Sequence, residues 1–312
     1  MLPLSLHEGA APPLLGALAA VSERPEDPRV RRFAAFVAEE LGEAAELAAE
    51  LPSPPAAEAL AAAVPEGARA AAVQRLVLAA MLAPPLTEAR LERLETYAAA
   101  LGRGPATEPA LVDLRRALAG HHRRLSASLL RRFPPTERIK TAWRRGGFGD
   151  RWRLIKALLR IPDRATAERY RGLEALAEGT LGRAFFDHCR ANGFPLPGER
   201  RGLPEPMTFH DMGHALVGAA TDIAGETRMA GFEAGCMGER GFTMLEFTLL
   251  LFNLGARLPA DAAPAVGAVD VDVLLDAFAV GHASALDVLA WDPWADAEVP
   301  LVELRQRYGI AV

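Results

Sequence analysis

Alanine, leucine, glutamate and arginine dominate this chain, whereas β-branched and aromatic residues are scarce, so summed propensity favours helix almost everywhere. The expectation is an all-α fold. Half of the 312 residues are apolar, enough for a substantial core in one large domain or two of ordinary size.

Cysteine occurs only at Cys189 and Cys236, and the first residues lack the basic, apolar and small-residue pattern of a secretory leader. A reducing, cytoplasmic setting is expected. The longest apolar run, residues 242–254, is interrupted by Glu246 and Asn253 and is well short of the roughly 20 residues that cross a bilayer. A net charge of −5 argues against a general nucleic-acid binder.

Proline clusters cut residues 1–135 into successive helices: Asp27 with Pro28 reads as an N-cap and first-turn pair, and Thr87 as a second cap. Leu91, Leu94, Ala98 and Leu101 recur at helical spacing, so a small helical bundle is expected. Residues 136–162 form a basic linker or amphipathic segment. Between Arg123 and Arg160 the only acids are Glu137 and Asp150, and Phe133, Trp143, Phe148 and Trp152 are interleaved with the cations. Such a segment either lies on an anionic membrane surface or is a solvated face whose arginines pair with acidic neighbours. Residues 163–312 then read as helix after helix with glycine stops. One helix is expected from Gly182 to Asn192, a second ending near Asp222, a third after Gly225, a fourth from Thr243 to about Leu254, a fifth from Val271 to about Leu289 and a last from Leu301 to Tyr308.

The chemistry concentrates in residues 209–226, FHDMGHALVGAATDIAGE. On a helix His210 and His214 are one turn apart and share a face, the spacing at which two imidazoles grip one divalent cation. Asp211 and Glu226 offer oxygen ligands, giving an N2O2 set suited to zinc and also to iron(II), manganese or cobalt. Asp211 alternatively closes a capping box with Thr208. Glu233, seven residues beyond Glu226, shares its face and is a candidate to support a ligand from behind, or else an ordinary salt-bridged residue. His188 and His282 are lone helical histidines with structural roles expected.

Three segments carry a resemblance. HDMGH followed by eleven residues and Glu226 matches the H-D-x-x-H-x11-E pattern of the ubiquinone (coenzyme Q) biosynthesis protein four family. ALAEGTLGRAFFDHCRANGF, residues 175–194, resembles that family's Gly-Thr/Ser-Leu-Gly-Arg helix entry. WDPWADAEVPLVELRQRYGI, residues 291–310, is similar to its closing Trp and Leu-x-x-x-Arg segment. The resemblance covers about residues 163–312 and implies an all-helical fold with a divalent metal, zinc first, at His210, Asp211, His214 and Glu226. It further implies an apolar groove for a polyprenyl tail and peripheral contact with the inner face of the cytoplasmic membrane. The implied activity is oxidative decarboxylation, removal of the ring carboxylate from a polyprenylated 4-hydroxybenzoate-derived quinone precursor, together with organisation of other quinone-biosynthesis enzymes. Glu226 or Asp211 would complete the catalytic centre, and Arg183 would offer a fork for the substrate's anion or form a salt bridge. A homodimer is compatible with these features. The chain departs from the family in the long N-terminal region and in Met212 and Gly213, where an aromatic residue often lies.

FHDMGH also resembles the HD phosphohydrolases, with His188, His210 and Asp211, and Asp270 or Asp272 cast as ligands. A third reading is a non-catalytic scaffold that binds isoprenoid or quinone precursor.

Overall fold

Helix ends fall where short polar side chains or glycines can satisfy exposed backbone groups. Asp27 accepts from the Arg29 amide at the start of Pro28–Glu40, and Thr87 accepts from Arg90 ahead of Glu88–Ala100. The computed structural model describes residues 1, 10–43, 50–258 and 263–311. Among the described residues there are sixteen α-helices and no strand, so the fold is all-α.

Contacts divide the chain into two compact units, one of residues 1–132 with 238–276 and one of residues 133–237 with 277–312. The sequence suggests a single run from 163 to 312, but the structure assigns 238–276 to the first unit. The physical reason is the Phe242–Phe252 helix, apolar around its circumference and buried on nearly every side. Within the first unit it packs on Arg69–Leu82 and His122–Arg132. Its one charged residue, Glu246, is fully buried and faces Arg132, whose guanidinium also reaches Asp113 at 2.6 Å. Asn253 closes the same core by donating to the carbonyls of Met81 and Leu82.

In the second unit, Pro135–Arg145 and Phe148–Leu158 form a helical hairpin. Leu181–Asn192 ends at Gly193, which takes a left-handed conformation as a C-cap glycine does. Thr208–Val217 is shorter than the sequence suggests: Gly218, at φ 67°, stops it before Asp222. Asp222 instead caps Ile223–Cys236 by accepting from Gly225 at 2.8 Å. Val271–Ala283 likewise stops short of Leu289, because Ser284 and Asp287 side chains accept the following amides and favour turns.

Three contacts fix the framework around the motif helix. The amides of Leu181 and Gly182 donate to the carbonyls of Val299 and Ala297, while Arg305 donates to the Leu216 carbonyl at 2.7 Å. The three segments singled out in the sequence are thereby tied together. Arg138 donates to the carbonyls of Pro206, Val288, Leu289 and Trp291 and lies over the Phe209 ring, pinning the entry to the motif helix. Gly235 and Gly281 let two helices touch through their backbones, since a Cβ on Gly281 would sit 2.0 Å from the Phe232 carbonyl oxygen.

Candidate metal centre

Two helices supply the converging side chains. His210 and His214 project from Thr208–Val217, and Glu226 from the first turn of Ile223–Cys236. Gly225 makes the connecting turn possible, because a Cβ there would lie 2.0 Å from the Ala220 oxygen. Gly213, between the histidines, admits the end of Met229.

His210 Nε2 and His214 Nε2 are 3.3 Å apart, and each is 3.5 Å from an oxygen of Glu226. A tetrahedral cation with bonds of about 2.1 Å separates neighbouring ligand atoms by about 3.4 Å, close to the spacing of the two nitrogens; Glu226 approaches His210 with Oε2 and His214 with Oε1, so its carboxylate spans the pair. The outer ring nitrogens are held from behind. His210 Nδ1 is 3.0 Å from Glu233 Oε1, and His214 Nδ1 is 3.2 Å from the Ala219 carbonyl. With both Nδ1 atoms donating to these acceptors, the Nε2 lone pairs would be free for a cation that displaces the proton the carboxylates favour on His210.

The electrostatics ask for a positive charge at this point. Burial opposes a charge on His210, yet the Glu233 and Glu226 carboxylates outweigh it and hold its pKa well above the ordinary imidazole value. Burial first, and the His210 charge second, push His214 down to about 4. Burial raises Glu226, but His210 reverses that and leaves it below the usual carboxylate range. Glu233 is 1% exposed and its Oε2 has no hydrogen-bond partner. A carboxylate so buried needs compensation, which a cation bound to the His210 ring would supply. The two-histidine, one-carboxylate set therefore fits zinc, and equally an iron(II) site with open positions.

Other expected site residues lie elsewhere. Asp211 does not join the ligand atoms of His210, His214 and Glu226, which lie within 4.8 Å of one another. Adjacent helical residues point about 100° apart, so Asp211 cannot share the face of its neighbour. Its charge acts on Cys189 and His210. Thr208 is the first residue of the helix rather than its N-cap, which is Met207, and its hydroxyl donates to the Glu205 carbonyl. Arg183 is held by Asp187 at 3.0 Å and by the Glu174 carbonyl, the salt-bridge arrangement rather than an open fork. Asp270 accepts the amides of Asp272 and Val273, while Asp272 pairs with Arg32, so both have structural work. His282 stacks on Phe278.

The sequence assigns His188 a structural part, but its ring centroid lies 5.5 Å from that of His214. The Ala219 carbonyl is a further contributor, and no side-chain pattern could have revealed it. The fold and site define an all-helical protein with a preorganised His/His/Glu cluster of metal-binding dimensions. Neither the scan against protein-family models nor the search of curated proteins gave a match.

Proposed function

We propose that this chain is a metal-dependent ubiquinone biosynthesis protein, with His210, His214 and Glu226 as its metal ligands and Glu233 holding His210 from behind. The observation that carries the metal reading is the convergence of two imidazole nitrogens 3.3 Å apart with an oxygen of the Glu226 carboxylate 3.5 Å from each, both Nδ1 atoms being engaged on the outside. The pathway rests on the three motif segments, whose contacts with one another support reading them as one unit. HD-type phosphohydrolysis is less well supported, since Asp211 stands outside the trio.

When bound, zinc or another divalent cation would hold and polarise a carboxylate or phenolate oxygen of the aromatic substrate. The ring carbon would lose its carboxylate as carbon dioxide and gain a hydroxyl from water, with dioxygen as the two-electron oxidant leaving as hydrogen peroxide. The chain's own part is to orient that ring: Glu226 completes the ligand triangle, and Glu233 fixes the imidazole that faces it.

Among the described residues no helix is long and apolar enough to cross a membrane. The proposed role in quinone biosynthesis, independently of that, would place the protein at the cytoplasmic face of the membrane in peripheral contact, close to the polyprenylated precursor and the other enzymes that modify it.

The test is metal analysis and mass spectrometry of purified protein alongside turnover of a polyprenylated 4-hydroxybenzoate derivative. His210→Ala and His214→Ala should each lose the metal and the turnover. Metal-free wild-type protein with full turnover would refute the metal reading, and bound isoprenoid without product would favour a scaffold.

A further inference from the structure

His188 is a third imidazole at the edge of the cluster, and the ligand triangle leaves it unused. It belongs to the Leu181–Asn192 helix, which packs directly on Thr208–Val217. Its plane is tilted 32° from that of His214, and Phe194 meets it edge-on at 6.0 Å. The charges of Glu226 and His210 both act on it. Yet His188 Nε2 is buried with no hydrogen-bond partner, whereas the Nε2 atoms of His210 and His214 face Glu226. A buried ring nitrogen is costly to leave unmet, and such an atom beside a reactive cluster points to a missing partner. His188 is set back from the triangle and is not one of its ligand atoms.

We propose that His188 is a substrate-binding residue whose Nε2–H donates to an anionic oxygen, carboxylate or phenolate, brought to the centre. This rests on reading the trio as a metal site. Two of the three imidazoles then hold the cation, while the third recognises the oxygen that the cation attracts.

Cobalt(II), whose visible absorption reports its surroundings, is loaded into wild type, His188→Leu and His188→Gln, and benzoate is titrated into each. Leucine keeps bulk without a donor, and glutamine keeps an N–H donor; if circular dichroism shows the leucine variant misfolded, His188→Ala replaces it. All should retain one cobalt per chain. Benzoate should bind the leucine variant roughly tenfold or more weakly than wild type, with partial recovery in the glutamine variant. Unchanged benzoate affinity in the leucine variant overturns the proposal, as does loss of cobalt from both variants, which would make His188 a ligand or a folding requirement. Failure of wild type to take up cobalt overturns the metal reading, and this inference with it.

Discussion

His210 lies between two carboxylates, Glu226 at 3.5 Å from Nε2 and Glu233 at 3.0 Å from Nδ1. Burial works against a charge on the ring, but their combined charge overcomes it and raises the His210 pKa well above the ordinary imidazole value in the metal-free protein. His214, held at about 4, is already uncharged near neutral pH. A cation entering the trio therefore competes with the proton favoured on His210, so metal uptake near neutral pH should release protons and weaken as pH falls. An indicator dye in dilute buffer measures this. Glu233→Gln removes one of the charges that hold the proton, and should both diminish the release and weaken metal binding by roughly 10- to 100-fold. Metal uptake without proton release would contradict the proposed charge balance.

At the scale of elements, the Pro135–Arg145 and Phe148–Leu158 hairpin has two contrasting parts. Arg138 is half-buried, donates to four main-chain carbonyls and fixes the first helix within its unit. Beyond it, Trp143, Phe148, Trp152, Leu158, Leu159 and Ile161 are exposed, Phe148 to 89%. Lys140, Arg144, Arg145, Arg151, Arg153 and Arg160 lie among them, and although Lys140 and Arg153 pair with Glu137 and Asp150, cations remain in excess. Exposed aromatics with surplus cations suit an anionic bilayer surface, where each cation contributes about 1 kcal/mol. The full chain should float with vesicles containing phosphatidylglycerol and stay behind with pure phosphatidylcholine. Replacing Trp143, Phe148 and Trp152 together by serine should abolish flotation while leaving metal content unchanged. Equal behaviour of the two vesicle types would return this segment to a solvated face.

For the whole molecule, the two units carry different electrostatic problems. The second unit places its carboxylates around imidazoles; the first buries Asp113 and Glu246 completely around Arg132. Burial pushes Glu246 up to about 7, against the pull of Arg132 and with the help of Asp113. Because the folded value exceeds the ordinary 4.5, the folded state binds more protons than the unfolded state between those two values. Stability should therefore fall as pH rises from about 4.5 to 7, by on the order of 3 kcal/mol from this group. Chemical denaturation followed across that range checks it, and Glu246→Gln should flatten the slope. An unchanged slope in the variant would mean that Glu246 does not titrate in this window.

Composition and spacing determined much of this protein before any packing was known. Alanine and leucine in abundance make helix the cheapest local conformation, and the four-residue separation of His210 and His214 places both rings on one face wherever that helix sits. Those are local properties, fixed by bonds and by a 3.6-residue repeat. The start of the Ile223–Cys236 helix is not a local property, because Gly218 and Asp222 both punctuate the same turn and only the finished backbone makes Gly218 the end of one helix and Asp222 the cap of the next. Asp211 adjoins His210 in the sequence, yet the converging ligand atoms are those of His210, His214 and Glu226. The tertiary structure alone decided that Glu233 backs His210, that His188 comes beside His214, and that the apolar Phe242–Phe252 helix joins the first unit. Each depends on helices meeting across long stretches of chain, through contacts such as Gly235 with Phe278 and Gly281 with Phe232, where no local pattern can set the angle or the depth of approach.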